Sequence, residues 1–204
     1  TEVTEGVRWI RGQDDMIPDA HVYVLGDDAD GDLTLVDAGL MGKAPYKIES
    51  LKRVGVSLDN VRRIVMTHTH LDHIGCLGAL LEQLPNAELW VHEAEAAPLE
   101  AGDERTVYGM EMFRSMCQAQ YRLEPGAFTF SVNRKLQGGE TVGLGGAEWE
   151  VLHIPGHSAG SIGLYDPARR ILIPGDVVYA DYAIGRFDLH GADGRALRES
   201  LYRL

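Results

Sequence analysis

The sequence predicts an α/β protein built as a four-layer α/β/β/α sandwich, with two mixed sheets and helices outside them. Apolar β runs alternate with helical runs through the first half, and the second half returns to short strands set off by Gly or Pro turns. Residues 194–204 then resume helical spacing through Leu197, Leu201 and Leu204.

Val22–Leu25 and Leu33–Val36 read as strands of a hairpin whose turn is the acidic stretch 26–31. Helical spacing starts near Pro45, runs through Ile48, Leu51 and Val54, and ends at Gly55 in the capping position. Arg63–Met66 is an apolar strand. A second helix places Ile74, Leu77, Leu81 and Leu84 on one face until Pro85 stops it, and Glu88–Val91 is a further strand. Residues 94–126 lack strand alternation and carry Tyr108, Met110, Met112, Phe113, Met116 and Tyr121. They read either as an amphipathic helix packed on the core or as a helical cover whose Met112, Phe113 and Met116 meet a substrate. The remaining strands are Glu140–Leu144, Glu148–Ile154, Ser161–Tyr165 and Arg170–Ile173.

A length of 204 residues fits one domain, 1–204. A net charge of −12 argues against binding a phosphate backbone, so nucleic acid is not expected, while a small-molecule substrate, even an anionic one, stays open. No apolar run has the length of a membrane helix, and no signal peptide is visible. Cys76 and Cys117 lack both zinc-finger and disulfide-framework spacing. A cytoplasmic location is the expectation, with Cys76 a small buried apolar residue. A homodimer is compatible with the acidic surface.

His68, His70, Asp72 and His73 stand together in Thr-His-Thr-His-Leu-Asp-His (67–73). His68 and His70 are two apart, so an extended backbone points both the same way. Asp72 and His73 follow on the next turn and can face a second ion. Imidazoles with a carboxylate suit zinc, and also iron or manganese. Two later residues look built to join them: His157 in Pro-Gly-His-Ser and Asp176 in Pro-Gly-Asp, each just past an apolar strand. All these positions lie at carboxyl ends of strands, where open α/β sheets place their sites.

The His-x-His-x-Asp-His run, the Pro-Gly-His-Ser loop, the later Gly-Asp and the early Val-Asp-Ala-Gly (36–39) occur in the order found in metallo-β-lactamase-fold hydrolases, which the chain resembles over roughly 20–204. The resemblance implies two divalent metal ions, zinc first. His68, His70 and His157 would bind one, Asp72 and His73 the other, and Asp176 would bridge. Asp37 would orient a ligand rather than bind. Relatives usually carry a further histidine after the final helix; the sequence offers only His190 beyond Asp176, read here as a loop residue. The C-terminal metal-ligand loop is thus expected to be missing, the chain being a fragment, or completed by another chain, or weak at its second site. His21, His92 and His153 read as structural.

The implied chemistry is a metal-activated hydroxide attacking an ester-like carbonyl, with Asp72 orienting the nucleophile and moving its proton. The segment Gly-Arg-Phe-Asp (185–188) looks like that of glyoxalase-II-type thioesterases. Tyr179, three residues after Asp176, matches the tyrosine of the lactonase branch, where its hydroxyl polarises a lactone carbonyl; it also reads as a tyrosine packed at the rim. Thioester, ester and lactone all stand as substrates. The competing readings are a mononuclear-iron persulfide dioxygenase using His68, His157 and Asp176, and a non-catalytic, metal-stabilised interaction module.

Overall fold

A computed structural model describes residues 1–13 and 17–204. Two sheets face each other. The first has seven strands in chain order: β1 (Glu2–Thr4), β2 (Val7–Ile10), β3 (Val22–Leu25), β4 (Leu33–Val36), β5 (Val61–Val65), β6 (Glu88–His92) and β7 (Arg134–Leu136). Strands β1 to β4 are antiparallel neighbours, and β4 to β7 run parallel. The second sheet orders its four antiparallel strands β11-β10-β9-β8, from β8 (Thr141–Leu144), β9 (Ala147–His153), β10 (Ile162–Asp166) and β11 (Ile171–Ile173).

Side chains alternate between two cores, as the pleat requires. Leu25, Val36, Val65 and Trp90 point inward and meet Val142, Trp149, Val151, Ile162 and Leu164 of the second sheet. Their alternates Val24, Leu35, Ile64, Leu89 and Val91 face outward. Leu51 of α1 (Ala44–Arg53) and Leu77 and Leu80 of α3 (Leu77–Leu81) cover that outer face. On the far side, Leu197 and Leu201 of α7 (Gly194–Leu201) pack with Leu152 and Ile154. The order is therefore helix, sheet, sheet, helix.

The stretch 94–126 forms three helices, α4 (Glu93–Glu100), α5 (Arg105–Tyr108) and α6 (Glu111–Tyr121). Ala96, Leu99, Val107, Tyr108 and Cys117 enter the helix-side core. No helix among the described residues is long and apolar enough to cross a membrane.

The helix expected over 74–84 is interrupted. It splits into α2 (Leu71–Ile74) and α3 around Gly75 and Cys76. The carbonyl of His73 is drawn off to the amides of Ala38 and Gly39 at 2.9 and 2.8 Å, and a Cβ at Gly75 would lie 2.2 Å from the Met41 nitrogen. The segment after β4 therefore docks where the next helical turn would run. Strands β1, β2 and β7 also carry no strong sequence pattern, being short edge or near-edge pieces.

Candidate metal centre

Loops after β4, β5, β9 and β11 converge at one end of the sandwich. The turn after β5 carries His68 and His70, with rings 4.7 Å apart and nearly perpendicular. His73, on α2, brings its ring to 4.0 Å from that of His68. The loop after β9 sets His157 Nε2 at 2.9 Å from His70 Nδ1. The loop after β11 sets Asp176 Oδ1 at 3.1 Å from His73 Nε2, and Asp176 Oδ2 at 3.9 Å from His157 Nε2. Asp72 Oδ2 lies 3.6 Å from His73 Nε2.

These atoms form two overlapping sets, His68 with His70 and His157, and His68 with His73 and Asp176; within each set the ligand atoms lie within 4.8 Å of one another. Asp176 thus stands between both halves of the cluster, and His68 touches both.

The local chain explains the convergence. Asp37 occupies the left-handed backbone region, φ 64°, directly after β4. Its carboxylate accepts from Thr67 N at 2.8 Å, from Thr67 Oγ1 at 2.8 Å and from His73 Nδ1 at 2.9 Å. Asp37 therefore turns the Nε2 of His73 toward Asp176 and Asp72, as outer carboxylates orient ligating imidazoles. His157 Nδ1 donates to the carbonyl of Arg186 at 2.7 Å, leaving Nε2 with its lone pair facing the cluster.

Electrostatics separate the members. Burial, reinforced by neighbouring imidazoles, pushes His68 far down, His70 to about 3 and His157 down. These three are neutral lone-pair bearers, the form a metal requires. His73 moves the other way: burial opposes its charge, but Asp176, Asp37 and Asp72 outweigh it. Burial pushes Asp72 up to about 6. For Asp176 burial is outweighed by His73, which holds the carboxyl low. His68 Nε2 and His70 Nε2 are buried without a hydrogen-bond partner. A pocket this rich in acceptors and this poor in donors fits a cation.

Tyr179, partly exposed at the rim, hydrogen-bonds through its hydroxyl to Asp176; burial first, and then Asp176, raise its pKa and keep the proton on the phenol. Met112 is 71 % exposed and Met116 38 %, while Phe113 is half-buried. A cavity of about 420 Å³ beside α6 is lined by Met110, Tyr108, Arg114 and Leu189 rather than by Met112, Phe113 or Met116. His190 borders it and donates its backbone N–H to Gly109 O at 2.8 Å. His21 accepts from Gly12 N, and His92 stacks on His153 at 4.1 Å. Sequence reasoning missed the Arg186 carbonyl and Glu95, whose buried carboxylate accepts from Thr69, between His68 and His70. A backbone carbonyl carries no residue signature, and Glu95 reads in sequence as an ordinary acid in a helix's first turn.

The family signature of the metallo-beta-lactamase superfamily matches residues 18–203. The chain belongs to that superfamily. It is 28% identical over 176 residues to the hydroxyacylglutathione hydrolase GloC of Haemophilus influenzae, covering 85% of this chain and 74% of that protein. It is 40% identical over 122 residues to the acyl-coenzyme A thioesterase MBLAC2 of Gallus gallus, covering 56% of this chain and 41% of MBLAC2. Among solved structures, TTHA1623 in a di-iron-bound form superposes with a TM-score of 0.66 at 27% identity, covering 90% of this chain and 79% of that one.

Proposed function

We propose that this superfamily member is a binuclear metallohydrolase that cleaves a small-molecule thioester. The carrying observation is the convergence of the buried His68, His70, His73 and His157 on the part-buried Asp176, with His68 Nε2 and His70 Nε2 lacking any hydrogen-bond partner. His68, His70 and His157 would hold one divalent ion, Asp72 and His73 the other, with Asp176 shared. Divalent ions at such a site lower the pKa of a water and draw electron density from a carbonyl oxygen. Zinc suits the nitrogen and oxygen donors; iron is the alternative supported by the di-iron relative.

The chain's own groups do the rest. Asp72, with its side chain 22% exposed beside His73, would take a proton from the attacking water and pass it to the leaving thiolate. Asp37 and the Arg186 carbonyl fix the two imidazoles from behind. The thioester reading draws on the two named thioester-cleaving relatives and on Gly-Arg-Phe-Asp (185–188). One observation favours a lactone as second reading: the Tyr179 hydroxyl sits on Asp176, where it can donate to a carbonyl at the centre.

The test is metal counting followed by turnover on S-acylglutathiones, acyl-coenzyme A esters, N-acyl homoserine lactones and a cephalosporin. The expected result is two ions per chain and fastest turnover on a thioester. Asp176→Ala should lose metal and more than about 100-fold in kcat/KM. Unchanged metal content and rate in that variant would remove the shared-ligand role, and a metal-loaded chain inert toward every thioester would end the thioester reading.

A further inference from the structure

Glu95 lies in the first turn of α4 and is almost wholly buried, 1% exposed. A buried carboxylate is costly unless its lone pairs are filled. Among the described residues no lysine or arginine pairs with it. Four donors fill it instead, and they come from the two histidine loops. Oε2 accepts from the backbone N–H and the hydroxyl of Thr69, both at 2.6 Å. Oε1 accepts from the Ser158 hydroxyl and, at 3.1 Å, from Gly160 N–H. Ser158 is further held by Ser161, through its amide at 3.0 Å and its hydroxyl at 2.8 Å.

Thr69 is the residue between His68 and His70, and Ser158 directly follows His157. One carboxylate therefore grips both loops one residue from the imidazoles they present. A backbone tie between these segments, Ile162 N to Thr67 O at 2.9 Å, lies further back at the strand ends. The fit is close: a Cβ at Gly160 would lie 2.7 Å from Glu95 Cγ.

We propose that Glu95 is a positioning residue that sets the spacing between the His68/His70 pair and His157, and through it the affinity and geometry of the metal site. This rests on reading those three histidines as ligands. It adds a tie distinct from that of Asp37, which grips His73 and Thr67 rather than the His157 loop.

The test uses the full chain with Co2+ as the probe, reading affinity by chelator competition and geometry by the visible absorption of the bound ion. Glu95→Gln places an amide N–H against donors already there. It is expected to weaken Co2+ binding about 10- to 100-fold and to shift the absorption band. Ser158→Ala leaves the carboxylate in place and removes one of its four donors; a severalfold loss with a smaller band shift is expected. Gly160→Ala displaces the carboxylate without removing it and should reproduce the Glu95→Gln shift. If Glu95→Gln lowers only the stability of the metal-free chain, leaving affinity and spectrum as in the unmutated protein, the proposal is overturned. Should Glu95→Gln fail to fold, unchanged affinity and spectrum in Ser158→Ala overturn it equally. Absence of Co2+ binding by the unmutated chain would sink both this inference and the proposed function, whereas indifferent variants would sink this inference alone.

Discussion

The phenol of Tyr179 donates to Asp176 and keeps its proton, so it has a hydrogen bond that can be turned toward a substrate carbonyl. Replacing it with Phe removes one donor and leaves the ring. Tyr179→Phe is expected to slow lactone hydrolysis about 100-fold and thioester hydrolysis much less, measured as kcat/KM on both. Equal slowing, or none, would leave Tyr179 a packing residue of the rim. At this scale much was legible in the sequence. The His-x-His-x-Asp-His run announces itself because ligands two apart on an extended chain share a face. His157 and Asp176 were legible only through their loops after apolar strands. Glu95 was not: its partners are a threonine and a serine far away in the chain, and no local pattern marks a carboxylate that will be buried.

Between elements, the end of β6 in one sheet meets the end of β9 in the other through His92 and His153, stacked at 4.1 Å with planes 19° apart. Burial, aided by the facing His153, lowers His92 to about 4. The unfolded chain takes up this proton near the ordinary value of about 6.5. The folded contribution is therefore whole above about 6.5 and is lost as pH falls toward about 4. His92→Phe should flatten that loss by on the order of 1–2 kcal/mol after allowance for solvent screening. Denaturant midpoints of both proteins at pH 7 and pH 4.5 check it, and identical differences would show that the pair carries no acid lability. Element identity followed from periodicity for β3, β4, α1 and the second sheet. It failed at residues 74–84, where a tertiary contact from residues 38–41 diverts a carbonyl that local spacing assigns to the helix. It also failed at β7, three residues long, which owes its pairing to β6 rather than to its own pattern.

Across the whole molecule, the four-layer order was legible because each sheet must cover two faces, and the apolar residues suffice for both. Trp149 is the largest fully buried side chain between the sheets, with Arg169 over its ring. Trp149→Ala should cost about 3–5 kcal/mol in equilibrium denaturation, with the denaturant dependence unchanged. A loss below about 1 kcal/mol would mean that the two sheets close over the gap. The last helix has a wider reach than its position suggests. Gly156, next to His157, has no room for a side chain because Leu197 N would lie 2.2 Å from its Cβ; Asp193 N bonds the Gly156 carbonyl at 2.9 Å, and Ser200 Oγ bonds that of Pro155 at 2.8 Å. A disturbance of α7 would therefore be felt as a displaced His157 imidazole, so whatever docks on that helix sits mechanically in series with the proposed metal site.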